Sequence, residues 1–354
     1  MAVTPARGSP CGWLREREMA VPAVADPAED SAGREPVWNL GPGAHQCWYP
    51  VALSSSVPEG KVLGCEIGDG RIVLYRGDDG VIRAMSAFCK HMGADLSVGG
   101  EVVGNGIRCP FHHWTYGDDG RCKHIPAGDE IPRRANLFHF PSREQFGLIW
   151  VFFGKAPLYE LQTFEDFDEE KHVARSYEVQ LSDKLVSEPW MSTTNVFDIV
   201  HLRFLHKVNI TNSEVEEIDP YRRRMSWEAD MGDKAAGGLR LEIYVYGVNS
   251  LRTKGDQGGR LKWYIAASVP SVRLGTRFFL TIITTKEAGA VEFLDRQAAM
   301  HTQILDEDTP ILNNMRLEDL LMVPSDRAMT RFMRSVLKYP RVTMRELERS
   351  VQAE

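Results

Sequence analysis

Cys89 and His91, then Cys109 and His112 after seventeen intervening residues, are the side chains in this sequence best equipped for chemistry. Written out they are C-x-H and C-x-x-H. Two thiolates and two imidazoles in alternation suit a [2Fe–2S] pair in which the cysteines hold one iron and the histidines the other. Each motif then offers one sulfur and one nitrogen to different irons from a single loop, and Pro110 stiffens the second loop. Zinc is the competing reading. Structural zinc modules, however, group their ligands as C-x₂-C and H-x₃₋₅-H rather than alternating them. His113 is the local rival for the second nitrogen, and the C-x-x-H spacing favours His112.

A second constellation follows about eighty residues on. Asn195, Asp198, His201 and His206 read N-x-x-D-x-x-H-x-x-x-x-H. Two histidines and one carboxylate make the facial triad of non-haem Fe(II) oxygenases. Asp198 and His201 are three apart, hence helical neighbours, so that carboxylate can hold the far nitrogen of a ligating imidazole or relay through it. His201 and His206 are five apart and diverge on a regular helix, so they share a metal only where the helix ends or bulges between them. Arg203 and Phe204, lying between, have no side chain suited to iron and read as structural. The plain alternative is a pair of packed or solvated histidines on an amphipathic helix, and the Cys/His motifs upstream weigh against it.

These residues must be positioned by real domains. The chain has 354 residues, 43% hydrophobic and 26% charged, which is enough for two cored domains. A net charge of −7 gives no basic footprint for nucleic acid. No stretch approaches the roughly 18 apolar residues of a membrane span. Met19 to Ala25 is too short, and too interrupted by Pro22, for a signal sequence, so cytoplasm is the expected location. Besides Cys89 and Cys109 there remain Cys11, Cys47, Cys65 and Cys122, read as ordinary residues of a reducing compartment.

Residues 1–43, rich in Ala, Pro, Gly and charge, are expected to be a disordered tail, and Met19 is a candidate start. Residues 44–155 carry short strands, at Arg71 to Tyr75, Val81 to Phe88 and Gly147 to Phe153, with the two Cys/His loops at the tip of a small β domain. Residues 156–354 form the second domain. It has strand patterns at Leu239 to Tyr246, Leu261 to Val269 and Thr276 to Thr285, and helical stretches around Pro189 to Lys207, Phe293 to Leu321 and Ser325 to Val351. Trp227 and Trp263 fit core or pocket equally well. The basic run Arg222 to Arg224 reads as a solvated face or a docking point for an acidic ferredoxin.

With both motifs present in this order, the chain from about Ala44 to Arg334 resembles the oxygenase component of the Rieske-type non-haem iron oxygenases. The resemblance implies an α+β chain: an all-β Rieske [2Fe–2S] domain, then a helix-grip catalytic domain with a curved antiparallel sheet. It implies a third iron ligand from the E-D-x-x-I pattern at Glu307-Asp308, so Asp308, with Asp306 as rival. It further implies a homotrimeric ring in which the cluster of one protomer faces the iron of the next, with Asp198 bridging the gap. High-potential Rieske proteins carry an extra Cys in each loop and a Ser beside the cluster. Ala94, Phe111 and Trp114 stand at those places here, which points to a low potential. No glycine fingerprint for NAD or flavin is evident, so a separate NAD(P)H-dependent reductase, with or without a ferredoxin, is the expected donor.

The loops Cys89 to Ser97 and Cys109 to Cys122 are similar to those of 3-ketosteroid 9α-hydroxylase oxygenases and sterol desaturases. Their H-H-W form also resembles arylamine N-oxygenases. The expected function is therefore a terminal monooxygenase that uses O₂ to hydroxylate or desaturate a bulky, largely apolar, possibly steroid-like substrate. The alternatives are an O- or N-demethylase or an arylamine N-oxygenase, and, from a different class, a Rieske electron carrier without oxygenase activity.

Overall fold

The computed structural model describes residues 41–230, 239–257 and 259–352, all within one compact unit. Met19, Cys11 and nearly all of the expected tail lie outside the described residues.

Up to Phe153 the chain forms short antiparallel strands, as its turn-rich sequence requires. A four-stranded sheet runs in the order His139–Phe140, Ile82–Ser86, Gly70–Arg76, Val62–Ile67. A three-stranded sheet joins Ser142–Gln145, Leu148–Phe152 and Trp48–Leu53. These strands are almost wholly apolar inward, and Trp48, Tyr49, Ile72, Trp150 and Phe152 fill the space between them. A third sheet, Glu101–Val103, Gly106–Arg108, Thr115–Tyr116 and Cys122–His124, carries the second Cys/His loop between its middle strands.

The rest of the chain builds one seven-stranded antiparallel sheet in the order His172–Val179, Arg277–Thr285, Arg260–Val269, Ser250–Gln257, Leu239–Tyr246, Arg222–Asp230, Asn209–Asp219. The registers set up two faces, because side chains alternate along each strand. One face carries Val173, Ile282, Tyr264, Thr253, Ile243 and Met225. The helix Ala290–Leu312 packs on this face, through Leu294 and Ala298 against Ile282 and Tyr264. The other face carries Trp263, which stacks on Phe164 at 5.2 Å and is core.

Three helical expectations are modified. Pro189 to Lys207 is a helix Pro189–Thr194, a 3₁₀ turn Asn195–Phe197 and a second helix Ile199–Phe204, broken at Asp198, whose φ of −98° and ψ of 87° are not helical. The long helix ends at Leu312, just beyond Pro310 in its last turn. Ser325 to Val351 splits into helices Arg327–Val336 and Met344–Ser350 around Pro340, which cannot donate a helical hydrogen bond. Between them Arg341–Val342 pairs with Ala44–His45, and Met344 N–H donates to Asp69 Oδ1 at 2.9 Å. The last helix thus packs beside Asp69, Gly70 and Lys90.

Candidate functional site: a Cys/His loop pair and a buried His/carboxylate triad

The first loop, Cys89 to Gly100, is fixed by its own backbone and by Arg71. Gly93 takes a φ of +74°, which lets its N–H reach the Cys89 carbonyl at 2.8 Å. Arg71 donates to Asp95 at 2.7 Å and Ser97 at 3.1 Å, and Asp95 in turn accepts from the Ser97 amide. Lys90 reaches Glu348 on the last helix at 3.3 Å, so the chain terminus braces this loop. In the second loop His113 adopts a left-handed φ of 58° and its N–H bonds the Cys109 carbonyl.

The outcome is a cluster-sized arrangement. Cys89 and Cys109 are buried and adjacent, and both are free thiols. His91 and His112 lie at the surface with ring centroids 4.5 Å apart, and Trp114 stacks on His91 at 4.8 Å. It is His112, not His113, whose ring meets His91. Burial pushes the Cys89 thiol up, opposed by a 3.2 Å hydrogen bond to the Tyr116 hydroxyl, which also accepts from Lys90 N–H at 3.0 Å. With Cys89 as thiolate, Tyr116 is the donor. Sequence reasoning passed over Tyr116, although a hydroxyl seven residues after Cys109, on the strand leaving the loop, was visible. The Cys122 thiol meets the His124 carbonyl at 3.8 Å, and its N–H donates to the Ala135 carbonyl at 3.2 Å.

The second site is assembled by the helix break. Asp198 caps Ile199–Phe204, its Oδ1 accepting from Val200 and His201 N–H at 3.0 and 3.1 Å. Its backbone carbonyl, at 2.5 Å, holds His201 Nδ1, while its other carboxylate oxygen stands 3.9 Å off. The expected carboxylate grip on the imidazole is therefore replaced by a carbonyl grip, because the carboxylate is used as the helix cap. The helix ends at Phe204, and Lys207 turns left-handed at φ 61°. That end swings His206 back, and the two rings lie 5.2 Å apart and nearly perpendicular.

Asp308 comes from the long helix. One ligand atom from each of His201, His206 and Asp308 lies within 4.8 Å of the others. Asp308 is only 6% exposed; burial pushes its carboxyl above the usual range, and the nearby histidines and Asn195 pull it back. Asn195 Nδ2 donates to Asp308 Oδ2 at 3.0 Å, leaving Oδ1 toward His206. Asp306 points away and binds Ser182. Glu307 holds His206 Nδ1 at 3.0 Å, an anchor that lay unnoticed beside the chosen ligand. The run Arg222 to Arg224 is neutralised by Asp219, Glu216 and Glu242, and Arg223 is buried over Phe332.

Two thiols with two imidazoles, and two imidazoles with one carboxylate, are the donor sets of a histidine-ligated [2Fe–2S] centre and of a mononuclear iron. Residues 47–140 match the family described as Rieske [2Fe-2S] domain. Similar in structure is Pseudomonas putida CBB5 NdmA with caffeine, at a TM-score of 0.66 and 19% identity over 82% of this chain and 89% of that one. Residues 47–140 are a Rieske [2Fe–2S] domain, in a chain with the fold of the Rieske oxygenases. The Rieske domain and its neighbourhood also resemble cholesterol 7-desaturase nvd of Xenopus laevis, 33% identical over 46% of this chain and 36% of that protein. The oxygenase component of Mycobacterium tuberculosis 3-ketosteroid-9-alpha-monooxygenase is 35% identical over 29% of this chain and 27% of its own length. The matched stretch thus spans well under half of either relative. No helix among the described residues of this Rieske-domain chain is long and apolar enough to cross a membrane.

Proposed function

We propose that this chain is the terminal oxygenase of a multicomponent system, hydroxylating or desaturating a bulky, largely apolar substrate. The observation that carries the reading is the convergence of His201, His206 and Asp308 within 4.8 Å in a chain that also has the Cys89, His91, Cys109, His112 set. An electron carrier has no use for a second donor set. The sterol and ketosteroid substrates in the relatives' names favour an apolar substrate of that size.

In this reading Cys89, Cys109, His91 and His112 hold the cluster, and His201, His206 and Asp308 hold the iron. When bound, these groups supply single electrons and open coordination positions for activating O₂. The residues do the rest. Asn195 engages one oxygen of Asp308 and keeps the other for the metal, while Glu307 and the Asp198 carbonyl accept from the Nδ1 atoms and so leave Nε2 of each histidine free. The substrate lies between the sheet face that carries Trp227 and Thr253 and the helix that carries Leu305 and Asp308.

The domains divide near residue 155, the protein works in the cytoplasm, and reduction comes from a separate reductase or ferredoxin. Three chains form a head-to-tail ring in which Asp198 spans from a cluster histidine of one chain to His201 of the next. Apolar side chains left in solvent beside both sites support this: Met92 (67% exposed) and Phe111 (62%) around the cluster ligands, Phe204 (67%) between the iron histidines.

Iron analysis tests the reading. Three irons per chain after anaerobic reconstitution, with substrate-dependent O₂ uptake across steroids, aryl amines and methoxyarenes, are expected. A value that stays at two irons would leave an electron carrier.

A further inference from the structure

Lys262 lies on the sheet face covered by the long helix, two residues before Tyr264 on the same strand and in register with Gly255. Gly255 has no side chain to fill the space beside it. The ammonium sits 5.6 Å from the Tyr264 ring centroid and is sensed electrostatically by His301. Among the described residues it makes no hydrogen bond and no ion pair, and burial alone pulls it down to about 8. The ammonium is half-buried and in reach of water, so its charge is solvated, and no carboxylate among the described residues pairs it.

Its neighbours are polar and unsatisfied as well. The His301 ring packs against Tyr264 at 4.5 Å, tilted by 49°, and its Nε2 is enclosed without a partner. Burial, and then the Lys262 charge, press its pKa down to about 3, so the ring is neutral and offers one N–H. Gln297, one turn earlier on the same helix face and 5% exposed, has an enclosed Oε1 without a partner. His301 and Asp308 are seven residues apart, hence on one helix face about 10 Å apart along the axis. The polar group and the triad therefore lie along one face of the same helix, the face turned to the sheet through Leu294 and Ala298.

We propose that Lys262, with the His301 imidazole and the Tyr264 hydroxyl, is a subsite that recognises a carboxylate of the substrate. This deepens the function proposed above and rests on its placing of the substrate between sheet and helix. It defines the substrate class further: an elongated apolar acid whose reacting carbon lies about 10 Å from the carboxylate. Tyr264 and His301 complete the anion's hydrogen bonding, and the acid gives Lys262 the ionic partner that the protein itself does not supply.

The test reads binding without turnover, so it is independent of oxygenation. Full-length cluster-loaded protein is titrated by equilibrium dialysis with matched pairs of carboxylic acids and their methyl esters built on steroid, biaryl and long-chain alkyl skeletons. At least one acid is expected to bind about tenfold or more tighter than its ester. Lys262→Met and Lys262→Gln should abolish that preference without weakening ester binding, and Lys262→Arg should keep most of it. Acids that bind no better than esters, no binding by any acid, or a preference that survives both neutral variants overturns the subsite. If the preference is present but the iron count stays at two, the subsite stands and the oxygenase reading falls.

Discussion

His206 is held by two consecutive residues of one helix: Nδ1 meets the Glu307 carboxylate at 3.0 Å, and Nε2 faces Asp308 Oδ1 at 3.2 Å. Glu307 as acceptor fixes the tautomer that leaves Nε2 free for a metal. Glu307→Ala should weaken Fe(II) binding about 10- to 100-fold with the fold intact, and Glu307→Gln should lose less. Competition against a ferrous chelator measures it; an unchanged affinity would remove Glu307 from the site.

Asp198 has two separable duties. As helix cap it is mimicked by Asn, so Asp198→Asn should keep stability, whereas Asp198→Ala should lose about 1 kcal/mol. Both should leave the visible spectrum of the cluster intact and slow reoxidation of the reduced cluster in single-turnover stopped flow. Normal reoxidation in the Asn variant would dissociate Asp198 from electron passage.

Tyr116 sets the charge at a cluster sulfur. Removing its 3.2 Å hydrogen bond in Tyr116→Phe should lower the reduction potential, by about 40 mV if the bond contributes about 1 kcal/mol. Spectroelectrochemistry reads the shift. This bond acts against the low potential implied by Trp114 and the absent loop cysteines, so the wild-type value reflects both.

Arg341 ties a late segment of the chain to Glu188 and to the segment around Gly41 and Gly43. Its guanidinium bonds both oxygens of Glu188 at 2.8 and 3.1 Å and the carbonyls of Gly41 and Gly43 at 2.9 Å. Arg341→Ala should cost about 3 kcal/mol, seen as a lower denaturation midpoint. A loss under half that would show the anchor to be dispensable.

Acid should destabilise the protein through buried histidines. Burial, reinforced by Arg341, lowers His45 from 6.5 to about 3, so the folded ring stays neutral while the unfolded chain takes up a proton. Its stabilisation is complete above pH 6.5 and is lost as pH falls toward 3, at up to about 1.4 kcal/mol per pH unit. His45→Gln should flatten that part of the urea-denaturation profile between pH 6 and 4. An unchanged slope would exclude His45 as its source.

The sequence by itself determined the donor sets, because ligand chemistry is fixed by side-chain type and local spacing. Cys89, His91, Cys109 and His112 each sit on one short loop, and strongly apolar strands such as Leu148–Phe152 or Arg277–Thr285 announce themselves by composition. Strands such as Asn209–Asp219, an edge strand with four acidic residues that buries little, gave no such signal. Only the tertiary structure decided what distant segments do to one another. It turned Asp308 rather than Asp306 toward His206 and brought Glu307 to its far nitrogen. It paired Arg341–Val342 with Ala44–His45 across nearly the whole chain and put Lys262 under His301. Each of these depends on helix phase and strand register, which one residue of slip would reverse and which packing of the whole fold sets.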